Sequence, residues 1–177
     1  IHFVQDVVKK IDLRDKVAVL ENRELSYDYL VVALGSETEY FGIPGMKEYG
    51  MTLKSVDEAR LIRTHIERCF AEYPMDPRPE LLTFVVGGAG LTGIELVGEI
   101  ADWLPRLCEE SNIPQEQVSL YNVEAMPSIL PGFEPDLVSR AEAVLKAKGV
   151  IFKVGAPIVQ VEPGAVHLKD GEVIQSR

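Results

Sequence analysis

The segment TFVVGGAGLTGIELVGEI, Thr83 to Ile100, constrains the fold more than any other part of the chain. Apolar and β-branched residues run directly into glycines, and the glycines run directly into an apolar pattern at helical spacing. Gly88-Ala89-Gly90-Leu91-Thr92-Gly93 reads GxGxxG. Between a strand and a helix, Gly88 permits a tight turn, Gly90 lets backbone approach a pyrophosphate, and Gly93 lets the helix pack closely on the strand. The start of the helix adds unpaired N–H groups and a positive dipole end, which suit a diphosphate without any lysine. No Gly-Lys-Ser/Thr ending is present, so the pattern is not that of a nucleoside-triphosphate loop. GxGxxG by itself is a weak signal; its place between strand and helix makes dinucleotide binding the expected chemistry.

Such a unit also asks for an acidic residue after the next strand. Glu124, following VSLYNV, supplies it, further along the chain than the usual ~20 residues. The segment IADWLPRLCEESNIPQEQ accounts for the longer crossover. A carboxylate there accepts bonds from ribose hydroxyls and repels a 2′-phosphate, which favours NAD(H) over NADP(H). The bland alternative is a surface acid after a strand, which is common. Glu95, Glu99 and Asp102 share one side of the following helix. A solvated acidic face explains Glu99 and Asp102; Glu95 lies just beyond Gly93, near the ligand end. Gly98, in mid-helix, costs about 1 kcal/mol against alanine, which points to close packing.

The rest of the chain divides by hydrophobic period. Val4 to Leu13 and Lys16 to Leu20 read as strands, Asn22 to Glu24 as a turn, and YLVVAL, Tyr29 to Leu34, as a strand covered on both faces. FGIPGM, Phe41 to Met46, is a turn cluster and the first plausible domain boundary. Ser55 with Glu58 forms a capping-box signature ahead of a helix. Leu81 to Val86 is a short buried strand, and the glycine cluster opens a helix through about Glu109, interrupted or kinked near Pro105. Val118 to Val123 is a strand, Asp136 to Gly149 a helix, and Val150 to Val154 another strand. IVQVE, AVHLKD and EVIQS close the chain as short strands. This order specifies an α/β domain with a mostly parallel sheet and a terminal β-meander.

Composition narrows the partners. A formal charge of -10 offers no basic surface for nucleic acid. Cys69 and Cys108 show no CxxC spacing, which fits a reducing compartment and gives no metal or disulfide signal. His2, His65 and His167 are scattered and support neither a metal centre nor a hydrolase. No apolar run reaches the ~18 residues of a membrane span.

Three segments, in order, carry a resemblance to a family: SYDYLVVALGSETEYFGIPGM, FVVGGAGLTGIELVGEIAD and NVEAMPSILPGFEPDLV. They resemble the FAD- and NAD(P)-dependent pyridine-nucleotide oxidoreductases, and most closely the type II NADH dehydrogenases, single-subunit NADH:quinone oxidoreductases. The resemblance implies a Rossmann-like NADH-binding domain over residues 46–177 and a remnant of an FAD-binding domain over residues 1–45. It puts Gly88, Gly90 and Gly93 against the NADH pyrophosphate and Glu124 against the adenosine ribose, with Gly87, Leu91 and Thr92 as further cofactor-binding positions. Glu95 falls beside the nicotinamide and flavin rings, as a carboxylate for hydride or proton handling. Ala33, Gly35 and Ser36 fall on the FAD side. Two departures stand out: Leu34 replaces the threonine of the usual Ala-Thr-Gly, and Leu91 stands where the family often has proline.

By the same resemblance the chain reads as a middle piece. The parent would pass hydride from NADH to FAD and electrons to a membrane quinone, with the redox chemistry belonging to the cofactors. It would sit in the cytoplasm, peripheral to the inner face of the cell membrane, as a possible homodimer. The piece alone is expected to bind NADH, to lack bound FAD and not to turn over. Two other readings keep the fold: a soluble FAD-dependent reductase of another acceptor, and a non-catalytic dinucleotide-binding module.

Overall fold

The computed structural model describes residues 1–177 throughout. The chain forms two compact units, Ile1–Glu37 and Thr38–Arg177.

The first unit is an antiparallel sheet of β1 (Val8–Asp12), β2 (Val17–Leu20) and β3 (Glu24–Ser26), in that order. A hairpin turn between β2 and β3 is closed by the Leu20 N–H donating to Arg23 O at 2.8 Å. Asp6 braces the same turn, accepting from the Asn22 side chain and pairing with Arg23. The third strand of this unit is therefore Glu24–Ser26, which begins on the last residue of the turn expected at Asn22 to Glu24. The apolar run Tyr29 to Leu34 is not a strand, and Val31 and Leu34 are 84% and 80% exposed. A strand needs a hydrogen-bonding neighbour and cover for its side chains, and nothing in this unit supplies either to the run.

The second unit opens with α1 (Met46–Tyr49) and α2 (Val56–Glu72). The capping box at Ser55 forms: its hydroxyl accepts from the Glu58 N–H, and the Glu58 carboxylate accepts from the Ser55 N–H. The Thr52 hydroxyl and the Lys54 N–H bond to the same carboxylate and help hold it below the usual glutamate range. After a single 3₁₀ turn, Pro79–Leu82, come β4 (Thr83–Gly87), α3 (Leu91–Ser111), β5 (Ser119–Val123), α4 (Pro135–Ala147) and β6 (Val150–Lys153). The three strands make a parallel sheet in the order β4-β5-β6. An antiparallel meander follows: β7 (Ile158–Glu162), β8 (Ala165–Leu168) and β9 (Val173–Gln175). This is the α/β architecture expected, parallel sheet and terminal meander included.

Strand alternation separates two cores. Phe84, Val86, Leu120 and Val150 pack under the helices with Ile66, Phe70, Val97, Ile100 and Leu104. Val123 and the half-buried Val85 and Tyr121 face Ala156, just before the meander, and the meander residues Leu168 and Ile174. Phe70 of α2 stacks on Phe84 of β4 with ring centres 6.2 Å apart, an arrangement worth about 1 kcal/mol beyond its buried area. The meander is tied back to β4 by Ser176, whose hydroxyl donates to Thr83 O at 2.7 Å. It is tied to the start of the unit by the Val161 N–H, which donates to Pro44 O.

Helix α3 runs through Pro105 without interruption, contrary to the break the proline suggested. Proline removes one intrahelical bond, but Leu104, Leu107 and Cys108 are all buried around it and hold the segment in place. A left-handed Asn112, whose N–H bonds to Glu109 O, ends the helix. Gly98 does not carry the close packing its cost implied. A Cβ there would meet only Leu145 Cδ2, at 3.6 Å, an ordinary contact. Gly98→Ala is therefore expected to raise stability by roughly 0.5–1 kcal/mol, read as a higher urea midpoint at unchanged slope.

Candidate functional site

The glycine turn lies at the carboxyl end of the parallel sheet, where open α/β sheets bind ligands. It joins β4 to α3, and its backbone is held almost atom by atom. The Gly88 N–H donates to Val123 O at 2.7 Å, and Gly88 O accepts from Asn122 Nδ2 at 2.9 Å. The Ala89 N–H donates to Glu124 Oε2 at 2.6 Å. Ala89 O accepts from the Leu130 N–H at 2.8 Å. Three consecutive residues of one neighbouring segment, Asn122, Val123 and Glu124, thus hold Gly88 and Ala89.

Gly88 has φ +91°, a left-handed conformation that favours glycine. Gly93 is required for a different reason. A Cβ at that position would lie 2.0 Å from Gly88 O, inside any possible contact. Gly90 has open space where a Cβ would be, and it is the N-cap of α3 without a side chain to cap with. The first N–H groups of α3 are therefore left without the side-chain acceptor that serine or aspartate would provide. Gly87, Gly88, Gly90, Leu91 and Thr92 are all exposed along this edge, and Ala89 is fully buried behind them.

Glu124 is brought to the turn across 35 residues of sequence. Its second oxygen accepts from the Met126 N–H at 2.8 Å, and its own N–H donates to Lys153 O. The carboxylate is half-buried, fixed in direction and adjacent to the turn. Beyond it, Ile129 and Leu130 cover Ala89 and form a small core with Ile94, Val138 and Phe152. Leu130 adopts a left-handed φ of 46° and Gly132 one of 89°, so the ILPG turn folds back over the glycine turn. Neither Asn122 nor Leu130 stood out in the sequence as part of this arrangement.

The remaining candidates are placed less closely. Glu95 is exposed, one turn into α3. Glu99 is also exposed, and Asp102 pairs at 2.7 Å with Lys148, just past the end of α4, the solvated-face role expected of both. Ala33, Gly35 and Ser36 lie in the first unit, in exposed irregular chain after β3, with Gly35 at φ +75°. Cys69 and Cys108 are buried free thiols, and burial pushes both up from the ordinary thiol range. His65 lies 3.7 Å from Cys69 Sγ, but a thiol kept protonated by burial is a poor nucleophile. No group of His, Cys, Asp and Glu is placed to hold a metal ion, and no helix is long and apolar enough to cross a membrane.

A fixed peptide turn, an uncapped helix start and an aimed carboxylate suit a diphosphate joined to a ribose. A type II NADH:quinone oxidoreductase of Staphylococcus aureus (strain NCTC 8325 / PS 47) is 43% identical over 176 residues, 97% of this chain and 44% of the relative. Its counterpart in Staphylococcus saprophyticus is 42% identical over 161 residues, 90% of this chain and 40% of the relative. The chain thus spans less than half the length of these relatives. Among solved structures, NDH2 from Plasmodium falciparum in complex with NADH superposes with a TM-score of 0.82 at 20% identity, over 98% of this chain and 38% of that one. A ferredoxin reductase from Rhodopseudomonas palustris gives 0.67 at 18% identity, over 97% of this chain and 38% of that one. At such identities the superpositions speak to the fold. The family model for pyridine nucleotide-disulphide oxidoreductases matches residues 1–177, and with the type II NADH:quinone oxidoreductases as its relatives, the chain belongs to that family.

Proposed function

We propose that residues 46–177 are the NADH-binding part of a flavoprotein that passes hydride from NADH to FAD and electrons to a membrane quinone. Residues 1–45 belong, in this reading, to its FAD-binding domain. One observation carries the proposal. The turn from β4 to α3 is held by Asn122, Val123, Glu124 and Leu130, and the exposed start of α3 has no side-chain cap.

The chain's own residues then act as follows. The amides of Gly90, Leu91 and Thr92 and the positive end of α3 meet the diphosphate. The open space at Gly90 lets the backbone approach it. Glu124 accepts from the adenosine ribose hydroxyls, and its charge opposes a 2′-phosphate. Glu95, exposed on the first turns of α3, is the carboxylate available toward the nicotinamide end, for proton handling. When bound, NADH supplies the hydride. Ala33, Gly35 and Ser36 are proposed to line the FAD side. Quinone, membrane surface and a second subunit are partners of the whole enzyme, on the inner face of the cell membrane. The kinship to quinone-reducing relatives favours this reading over a reductase of another acceptor or a binding module without turnover.

Titration of the chain with NADH and NADPH, followed by nucleotide fluorescence, tests the binding part. Saturable binding is expected for NADH, with NADPH at least roughly tenfold weaker, a gap of about 1.4 kcal/mol. Equal or tighter binding of NADPH would contradict the role given to Glu124.

A further inference from the structure

The helix-facing side of the parallel sheet is apolar except for Asn122, which is fully buried. A primary amide at such a position costs free energy unless its groups are paired; Asn122 Oδ1 has no partner, so the hold rests on the two donors. Asn122 uses both on one short stretch of backbone. Its Nδ2 donates to Val86 O at 3.1 Å and to Gly88 O at 2.9 Å, the carbonyls on either side of Gly87. The opposite orientation of the amide would set its oxygen against two carbonyl oxygens, so the donor assignment follows from the chemistry.

The carbonyl of Gly88 and the N–H of Ala89 belong to one peptide group. Asn122 holds its oxygen and Glu124 holds its hydrogen. Such a hold is needed here because Gly88, at φ +91°, has no Cβ to limit how its peptides rotate. Turned over, this peptide would present its carbonyl oxygen where the helix-start amides face a diphosphate, and it would send its N–H inward. The same Gly88 oxygen lies where a Cβ on Gly93 would fall, so the carbonyl is tucked under the first turn of α3.

We infer that Asn122 is a positioning residue: its amide fixes the Gly88–Ala89 peptide in the orientation that leaves the α3 amides free for the diphosphate. The consequence for affinity rests on the NADH-binding reading; the hold on the peptide does not. Asn122→Leu keeps nearly the same shape and removes both donors, and Asn122→Thr keeps a strand-favouring side chain whose hydroxyl, one bond shorter, no longer reaches the two carbonyls.

Amide hydrogen exchange of the ligand-free chain, read residue by residue, separates a local hold from a general structural role. Asn122→Leu is expected to speed exchange at Ala89 by roughly tenfold, the loss of about one hydrogen bond, while amides in the middle of α3 and β5 keep their rates. NADH affinity should fall by about the same factor, with Asn122→Thr following Asn122→Leu in both. Should Asn122→Leu fail to fold, the same selective pattern in Asn122→Thr decides. Unchanged exchange at Ala89, or faster exchange across all core amides in unison, would overturn the inference. If exchange changes selectively but the parent chain binds no NADH, it is the functional reading that fails and the peptide hold that stands.

Discussion

Gly93→Ala is expected to abolish measurable NADH binding and to destabilise the chain by several kcal/mol. The added Cβ would lie 2.0 Å from Gly88 O and 3.0 Å from Gly88 C. The obstacle is backbone, so rotamer changes cannot relieve it. Nor can the carbonyl withdraw easily, since Asn122 Nδ2 is bonded to it at 2.9 Å. Relief requires α3 to lift from β4 or the turn to open. The first exposes Val97 and Ile100, which are buried beneath the helix; the second breaks the bonds to Asn122 and Glu124. Overpacking in a tight interior costs about 1–3 kcal/mol even where side chains can adjust. Urea unfolding and NADH titration of the same preparation read both effects. Wild-type affinity in Gly93→Ala would mean that the turn geometry does not govern binding.

Glu124→Ala is expected to weaken NADH binding by on the order of 30- to 100-fold, each hydrogen bond to a charged group being worth about 1.5–3 kcal/mol. Two contributions add in the same direction. The carboxylate bonds to the Ala89 and Met126 N–H groups, so its removal loosens the turn. It is also the group proposed to accept from the ribose. NADPH should lose far less, because the removed charge opposed its phosphate, and the preference between the two nucleotides should narrow or vanish. Glu124→Gln distinguishes the contributions. It keeps an oxygen for one backbone N–H and drops the charge, so nucleotide preference should narrow while most of the turn geometry survives. A uniform loss for NADH and NADPH in both variants would assign Glu124 to the turn alone.

The helix-strand order of the second unit was legible because its signals are local. GxGxxG, the capping box at Ser55 and Glu58, and the glycine after α4 each state a backbone requirement that holds whatever the surroundings. Gly149, with φ +91°, and the bonds of the Ser55 cap meet those requirements. Tyr29 to Leu34 went the other way. An apolar run says that a segment prefers burial, but only pairing with a neighbouring strand can make it a strand, and none of the three strands of the first unit pairs with it. The helix continues through Pro105 for a related reason: the cost of proline is local, whereas the burial of Leu104 and Leu107 that offsets it is tertiary.

Within the candidate site, the glycines and Glu124 could be read from spacing, and the groups that hold them could not. Asn122 sits in VSLYNV as one polar residue in a strand pattern. The available signal was its position on the helix-facing side, two residues after Leu120 and two before Glu124, where an unpartnered amide would be costly. Leu130 contributes through its backbone N–H, and backbone donors leave no trace in residue type. Gly98 shows the converse, since a glycine in a helix interior suggested a close approach and Leu145 turned out to sit at ordinary distance.

The central claim is that the uncapped start of α3, held open by the turn, is where the diphosphate of NADH sits. Backbone amide NMR of the chain during NADH titration tests it most directly. The largest shifts are expected on Gly90, Leu91, Thr92 and Gly93, with a second group at Glu124 to Met126, all saturating together. Saturable NADH binding that leaves the Gly90–Gly93 amides unmoved would contradict it.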